Sequence, residues 1–428
     1  MWKRSLGWLG WALALVSGCT SGGGGGAADA VVHYYQFSLP GFQEVFTGLA
    51  RKFHDTHPEF RVKIHTLPPS TDDQHQFYVT HLSTGGEGRI DVFALDVIWA
   101  AEFARAGLLM PVDPLFSEAE WSRFFPSIAR AAVYSGRRLA APYFIDAGVL
   151  YSRADLLRRH GYRRPPDTWR ELAAMAQKVM QAERDDALAG FVWQGRQYEG
   201  LVCNFVEHLP SPLEFKEEGG RLQLRPSSSD LMAAMVFMRD LVSRHGVSPE
   251  AVFAMAEEEA RQTFQNGGAV FMRNWPYAWK LMQEAGSKVA GRVWVSALPG
   301  QGPGKPGHGA LGGFLLGIHR DTPQPRAARA WVRFLTGEAA QETLKQSFGL
   351  TPARRDVAAR GKAVAGLPAD TLLRVMDAAV PRPVTPLYVP MSQALQASLS
   401  GALTGVHTPQ EAVRLLESEL KRLFRILS

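Results

Sequence analysis

Two aspartates in this chain each follow an apolar run that is typical of a buried strand. Asp96 follows the short apolar run 91–95, and Asp146 closes a second one. Because both follow apolar strands, their carboxylates could face one cleft. Two carboxylates that flank a glycosidic bond are the acid and base of most glycosidases, so the pair keeps a glycoside-active enzyme open as one interpretation.

A second chemical feature is the aromatic segment Ala269–Trp279, which starts as an apolar strand and then groups three large aromatics around Pro276. Proline fixes φ and has no N–H, so Trp275 and Tyr277 stand on a stiff turn. Rigid aromatics with a polar tip suit a ligand that has flat C–H faces edged by hydroxyls, as a sugar has. The alternative is a tryptophan-rich corner of the core.

The sequence lacks the other common catalytic and metal-binding motifs. The sequence has no G-x-S-x-G, H-E-x-x-H or C-x-x-C motif, and its twelve histidines lack ligand spacing. The glycine-rich run Gly300–Gly309 resembles a phosphate loop, but Pro299 and Pro306 occupy positions where that motif needs glycine and serine or threonine. We therefore expect no metal and no cofactor.

The N-terminus indicates export. A short cationic start precedes the apolar run Leu6–Val16, which is too short for a permanent membrane span, and Val16-Ser17-Gly18 stands directly before Cys19. This pattern predicts a lipoprotein signal peptide over residues 1–18 and lipidation of Cys19, followed by a glycine-rich tether over 19–29. The alternative is an ordinary signal peptide. The expected location is the cell envelope, outside the cytoplasmic membrane.

Composition is that of a globular protein. The 428 residues are 46% hydrophobic and 21% charged, and the length suggests two or three domains. The net charge of +6 is spread over scattered arginines without a basic stripe, so we expect no nucleic-acid partner. With Cys19 assigned to lipid, Cys203 has no disulfide partner and is expected to be buried.

Strand and helix patterns alternate along the body of the chain. Val31–Tyr35 reads as a strand, and the following helix carries an apolar face. Thr168 with Glu171, and Thr408 with Glu411, have the spacing of capping boxes that open helices. Strands that alternate with helices predict an α/β fold with parallel sheets.

Taken together, these features resemble the extracellular solute-binding proteins of ABC importers, in the branch that takes up maltose, trehalose and related sugars. The trehalose/maltose-binding proteins are the most similar group. The resemblance runs over nearly all of the mature chain. It is densest in Phe93–Trp99, Ile145–Tyr151, Phe191–Cys203, Asn274–Trp279 and Val380–Pro386.

The resemblance implies a type II periplasmic-binding-protein fold, in which two α/β lobes enclose a ligand cleft and the chain crosses a hinge three times. By position, the crossings are expected near Ile145, Pro299 and Gly337. The N-terminal lobe would then comprise residues 30–145 and 299–336, and the C-terminal lobe residues 146–298 and 337–428.

The resemblance also assigns roles to individual residues. Asp96 and Asp146 match acidic residues that accept hydrogen bonds from sugar hydroxyls, and charge-assisted bonds of this kind are strong and directional. Trp275 and Tyr277 match aromatics that pack on sugar rings. Three further matches are Gly313, which would offer its backbone N–H to the ligand, Arg382, which would reach hydroxyls and hold an acidic neighbour, and Phe314, which would stack.

Two positions depart from the pattern of these relatives, and one loop aligns poorly. Phe314 stands where relatives often carry tryptophan, and Phe144 where they may carry tyrosine, so one subsite would be looser or differently selective. The poorly matching loop is Ser38–Glu44. Glu44 is taken as its sugar contact, with Gln43 as the alternative.

The expected function is that of a monomeric, lipid-anchored receptor. It would capture an α-linked gluco-disaccharide, trehalose first and maltose second, and deliver it to the transmembrane subunits of an ABC permease. The alternatives are a secreted glycoside-active enzyme that uses Asp96 and Asp146 as its acid and base, and a sensory or structural surface lipoprotein that hands sugar to no transporter.

Overall fold

The computed structural model describes residues 30–37, 41–68, 70–84, 88–218, 221–360 and 366–425. The signal peptide and tether expected over 1–18 and 19–29, including Cys19, lie outside the described residues. Among the described residues, none of the helices has both the length and the apolar character needed to cross a membrane.

Fourteen strands occur in the described part of the chain, and they form two larger sheets and two hairpins. In chain order they are β1 (Ala30–Phe37), β2 (Phe60–Leu67), β3 (Val92–Asp96), β4 (Val133–Tyr134), β5 (Arg137–Arg138), β6 (Ala141–Ala147), β7 (Val149–Arg153), β8 (Ala189–Val192), β9 (Glu214–Glu218), β10 (Arg221–Arg225), β11 (Ala269–Asn274), β12 (Val293–Ala297), β13 (Leu311–Ile318) and β14 (Thr351–Pro352).

The α-helices lie between and after these strands, together with short 3₁₀ turns at Asp113–Leu115 and Glu250–Ala254. They are α1 (Phe42–Thr56), α2 (Thr71–Thr84), α3 (Ala100–Arg105), α4 (Glu118–Trp121), α5 (Pro126–Ala131), α6 (Ala154–Arg159), α7 (Trp169–Glu183), α8 (Glu199–Glu207), α9 (Ser228–Ser243), α10 (Glu257–Gln265), α11 (Ala278–Met282), α12 (Pro325–Leu335), α13 (Glu338–Phe348), α14 (Arg355–Ala358), α15 (Ala369–Asp377), α16 (Tyr388–Leu403) and α17 (Pro409–Phe424).

The first larger sheet has six strands in the order β14-β6-β13-β3-β1-β2. Strands β2, β1 and β3 run parallel, whereas β13 is antiparallel to both of its neighbours, β3 and β6. Helix α1 covers this sheet with Phe42, Phe46, Leu49 and Phe53, whose three- and four-residue spacing places them on one buried face. We call the part of the protein built on this sheet the first lobe.

The second larger sheet has four strands in the order β12-β7-β11-β8. Strand β11 runs parallel to β8 and antiparallel to β7. Helices α7, α8 and α10 and the C-terminal pair α16 and α17 belong to this part, which we call the second lobe. Cys203 lies buried on α8 with a free thiol, as predicted. The α/β class expected from the sequence is confirmed, but the expected parallel sheets are wrong, because both larger sheets also contain antiparallel pairs.

The chain passes between the lobes three times. It first passes at Gly148, which separates β6 from β7, and next between the end of β12 at Ala297 and the start of β13 at Leu311. These passages lie close to the positions expected from Ile145 and Pro299.

The last passage does not lie near Gly337, where the sequence placed it. Helix α13 contacts β14, and β14 pairs with β6 in the first sheet. Phe348 at the end of α13 stacks on Phe46 of α1, so the apolar face of α13 packs within the first lobe. Helix α15 also contacts β6, whereas α16 contacts α8 and α9. The last passage from the first lobe to the second therefore lies between Asp377 and Tyr388.

Candidate functional site

The strand register places Asp96 and Asp146 on the two sides of β13. Asp96 ends β3 and lies opposite Phe314, and Asp146 on β6 lies opposite Gly312. Residues two apart on a strand point to the same face, and residues directly opposite each other do so as well. The register therefore brings both carboxylates to one side of the first sheet, at the edge where β6 continues into the second lobe.

The Asp96 carboxylate is buried but partnered. Its Oδ1 accepts a hydrogen bond from the Ile98 N–H at 3.1 Å and lies 3.5 Å from Arg382 Nη2. Burial raises the pKa of Asp96 to about 6, and the guanidinium of Arg382 and the Ile98 hydrogen bond limit that rise. Such a group can accept hydrogen bonds strongly once it is ionised.

Asp146 is equally buried, at 8% exposure, but less well satisfied. Its Oδ1 has no hydrogen-bond partner among the described residues. Burial raises the pKa of Asp146 to about 8, and the nearby Arg273 only partly opposes that rise. A buried carboxyl oxygen without a partner is unfavourable, and a ligand hydroxyl would supply the missing hydrogen bond.

Arg382 connects the first lobe with α8 of the second. Its Nη1 donates to Glu199 Oε1 at 2.6 Å, and its Nη2 donates to the Leu311 carbonyl at 3.2 Å. Glu199 also accepts from the hydroxyls of Tyr388 and Ser392. The acidic neighbour expected for Arg382 is thus present twice, as Glu199 and, at longer range, as Asp96.

The aromatic turn after β11 is held by two glutamates of α10. Trp275 is half-buried and donates its indole N–H to Glu257 Oε1 at 3.2 Å. Tyr277 is also half-buried and donates its hydroxyl to Glu258 Oε1 at 2.8 Å. Because both polar tips are occupied, the two rings offer mainly their apolar surface to a ligand.

Gly312 and Gly313 let three segments approach closely. A Cβ on Gly312 would lie 3.0 Å from the Trp275 ring, so this indole of the second lobe packs against β13 of the first. Gly313 has a φ of 111°, and a Cβ there would lie 2.9 Å from Ile145 Cα and closer still to the Phe144 carbonyl. Glycine is thus required at 313 for local backbone reasons, alongside any contact of its N–H with a ligand.

Phe314 belongs to a cluster of three phenylalanines in the first lobe. Its ring stacks on Phe144 with centroids 5.3 Å apart, and lies 4.6 Å from the ring of Phe37 at the end of β1. Phe37 and Phe314 are half-buried, and Phe144 is buried. The cluster offers carbon surface and no side-chain hydrogen-bonding group.

The structure brings most of the predicted site residues together through direct contacts or strand pairing, whereas Glu44 stays a prediction that rests on its position at the start of the helix that follows β1. Glu44 lies in the first turn of α1, and its side chain is exposed. The alternative residue, Gln43, is exposed on the same turn. The part of the structure that is described thus gives no contact between either residue and the two aspartates.

Sequence reasoning missed five residues that hold the site: Phe37, Glu199, Glu257, Glu258 and Arg273. Arg273 carries a clear signal, because it is a charged residue that directly follows the apolar run 269–272. Glu199 also opens a helix within an otherwise apolar segment. The described residues include no group of three or more histidine, cysteine, aspartate or glutamate side chains placed to hold a metal ion.

Comparisons with known proteins identify the relatives of this chain. Residues 38–342 match the sequence family described as bacterial extracellular solute-binding protein. A probable ABC transporter-binding protein of Deinococcus radiodurans is 34% identical over 372 residues, which cover 85% of this chain and 86% of that protein.

Solved structures agree. Maltose-bound MalE3 of T. maritima is 38% identical with a TM-score of 0.83, covering 92% of this chain and all of that one. The maltotriose-binding protein of Thermus thermophilus, at 19% identity, has a TM-score of 0.73 over 93% of this chain and all of its own. The two-lobed type II fold expected from the sequence is confirmed.

Proposed function

Because this chain belongs to the bacterial extracellular solute-binding proteins of ABC transporters, we propose that it captures an α-linked gluco-disaccharide between its two lobes and delivers it to a membrane permease. The family and its relatives are binding proteins, so the alternative of a glycoside-active enzyme is not supported. The proposal concerns the sugar, the residues that hold it and the lipid anchor.

The observation that carries this proposal is the pair of buried aspartates beside β13, with the Trp275 ring packed against the same strand. Asp96 and Asp146 would accept hydrogen bonds from sugar hydroxyls, and Asp146 has an oxygen without a partner among the described residues. Trp275 would pack on a sugar ring from the second lobe. Carboxylates that read hydroxyl positions and an indole that reads the C–H face together suit a saccharide.

We place maltose before trehalose as the proposed ligand, which reverses the order expected from the sequence. The relative that is 38% identical over nearly the whole chain was solved with maltose bound. Trehalose remains the second candidate, because the two sugars differ in their linkage and not in their glucose units. The phenylalanine cluster Phe37, Phe144 and Phe314 would hold one ring by its carbon face.

The proposed cleft lies between lobes whose boundaries follow the observed packing. The first lobe would comprise the described residues within 30–147 and 311–377, and the second would comprise the described residues within 149–297 and 388–425. Arg382 lies on the last connecting segment and contacts both lobes. Closure of two such lobes around a ligand by rotation at the connecting segments is an established type of hinge motion.

The lipid anchor is a proposal from the sequence alone. Cleavage before Cys19 and acylation of its thiol would hold the receptor at the membrane outside the cytoplasm. Cys19→Ser removes the thiol, so we expect the variant to leave the membrane fraction or to accumulate as an unprocessed precursor. A variant that is processed and fractionates with lipid like the wild type would show that residue 19 is not the attachment site.

A calorimetric titration of the mature protein with maltose, trehalose, sucrose and longer maltodextrins tests the function. We expect saturable binding of one or more α-linked gluco-oligosaccharides, with the sugar recovered intact afterwards. Release of glucose, or no binding of any of these sugars, would overturn the proposal.

A further inference from the structure

The proposed sugar-stacking residue Trp275 rests on a buried ion pair. Arg273 donates through Nε to Glu207 Oε2 at 2.8 Å and through Nη2 to Glu207 Oε1 at 2.5 Å. The two side chains are 0% and 1% exposed. A two-point bond of this kind fixes the plane of the guanidinium, and removing either partner would leave a charge buried without compensation.

The same ion pair touches the connecting segments between the lobes. A Cβ on Gly148 would overlap Glu207 Oε1 and would lie 2.7 Å from Arg273 Nη2, so the first connection is glycine where it passes over the pair. The backbone N–H of Ala310, on the second connection, donates to Glu207 Oε1 at 3.0 Å. A rotation at these segments must therefore move with the pair or break this hydrogen bond.

The three connections also contact one another at this point. A Cβ on Gly309 would lie 2.6 Å from the backbone nitrogen of Gly148. Val380 N donates to the Gly309 carbonyl at 2.9 Å, and Leu311 N donates to the Val380 carbonyl at 2.7 Å. The ion pair thus lies against the place where all three connections meet.

On its other side, the pair supports the indole. The Arg273 guanidinium carbon lies 4.0 Å from the centroid of the Trp275 ring, which is close enough for a cation–π interaction. Glu257 holds the indole N–H. One face of the ring is therefore covered by Arg273, and its outer edge lies against Gly312 of the first lobe.

We propose that Arg273 and Glu207 are positioning residues that couple rotation at the connecting segments to the placement of the Trp275 ring against the ligand. The pair bonds to the hinge at Ala310 and stacks on the indole at its other end, so the two cannot move independently. This inference rests on the proposed sugar-binding function. It adds that closure and ring stacking are one event.

A double-mutant cycle tests the coupling. Arg273→Lys keeps the charge beside Glu207 but loses the planar two-point bond and the stacked guanidinium. We measure the maltose dissociation constant by calorimetry for the wild type, Arg273→Lys, Trp275→Phe and the double variant. We expect Arg273→Lys to weaken binding about tenfold in the wild type and less than about threefold beside Trp275→Phe, because coupled neighbours are not additive.

Arg153→Lys is the matched control. Arg153 is a buried arginine of the same sheet, on β7, and forms a two-point bond with Asp155. We expect it to leave maltose affinity within about twofold, as for a residue remote from the ligand. Should Arg273→Lys fail to fold, Glu207→Gln replaces it in the same cycle, since the amide oxygen still accepts from Ala310 N–H.

The outcomes separate this inference from the function on which it rests. Equal losses of affinity in the two backgrounds, or no loss in either, would overturn the coupling while the sugar-binding function stands. A loss with Arg153→Lys as large as with Arg273→Lys would also overturn it, because any buried arginine would then have the same effect. A wild type that binds none of the α-linked sugars overturns both.

Discussion

The fold strongly affects the ionisation of the Asp146 carboxyl group, because burial raises its pKa. Its pKa of about 8 means that the folded protein keeps a proton on this group where the unfolded chain has lost it. A raised acid pKa stabilises the folded state below the unfolded value of about 4, and that stabilisation is lost as the pH rises through about 8.

We therefore expect the difference in unfolding free energy between the ligand-free wild type and Asp146→Asn to depend on pH. The wild type should lose stability relative to the variant as the pH rises from about 5 to 8, by at most about 1.4 kcal/mol per pH unit for one proton. Chemical denaturation at a series of pH values measures this. Parallel stability curves for the two proteins would mean that Asp146 titrates normally.

Asp96 tests hydroxyl recognition at the other side of β13. Asp96→Ala removes a charged acceptor, and the loss of one such hydrogen bond costs roughly 1.5–3 kcal/mol, or about ten- to a hundredfold in sugar affinity. Arg382 keeps its bond to Glu199, so the connection to the second lobe remains. Calorimetric titration with maltose measures the change.

Asp55→Ala provides the control for charge. Asp55 is exposed in the last turn of α1. The first turn of this helix is the one that follows β1, so Asp55 lies at the opposite end of α1 from β1 in the chain. The substitution removes the same charge from the same lobe, and we expect unchanged affinity. Equal affinity for Asp96→Ala and the wild type would remove Asp96 from the proposed site.

At the scale of elements, capping patterns between residues close in sequence correctly predicted where two helices begin. Thr408 and Glu411 form the complete reciprocal capping box that was predicted for α17. At α7, Thr168 accepts from the Glu171 N–H as predicted, but the Glu171 carboxylate bonds to the Asp167 N–H and to Arg164 instead of completing the box. The competing arginine lies seven residues away, beyond the reach of the capping pattern.

Long-range partners explain what the sequence did not reveal. Arg273 and Glu207 are 66 residues apart, and Trp275 and Glu257 are 18 apart, so neither pair lies within one helix or one strand. The strand ends at Asp96 and Asp146 could be predicted from the sequence, because each aspartate follows an apolar run. The glutamates that hold Trp275 and Tyr277 depend on where α10 packs, which no local pattern encodes.

Gly313 tests the pairing of β13 with β6. Gly313→Ala places a methyl group against the Phe144 carbonyl at a φ that side chains rarely adopt, so we expect a loss of about 1–3 kcal/mol in unfolding free energy. Gly302→Ala is the control, since a Cβ there has open space around it and its φ is not in the positive range. Denaturant titration compares them, and equal stabilities would contradict the strain at residue 313.

At the scale of the whole molecule, the resemblance predicted the two-lobed architecture but misplaced the last connection. Residues 337–428 were expected in the second lobe, whereas the pairing of β14 with β6 and the stacking of Phe348 on Phe46 attach α13 and β14 to the first. The sequence of a helix such as α13 shows which face is apolar, but it does not show which sheet that face packs against. Packing partners of this kind are set by tertiary contacts, and these became visible only in the structure.

The central claim is that a sugar bridges two lobes that close over it. The proposed contacts come from both, with Asp96 and Asp146 on the first lobe and Trp275 and Tyr277 on the second. A ligand that binds both surfaces favours the closed arrangement by its differential affinity for that state.

Small-angle X-ray scattering of the mature protein, with and without saturating maltose or trehalose, tests this claim most directly. We expect the radius of gyration to fall when the bound sugar is present, and the sugar to be recovered unchanged. A radius that stays the same while calorimetry shows binding would contradict closure, and hydrolysis of the sugar would contradict the assignment as a binding protein.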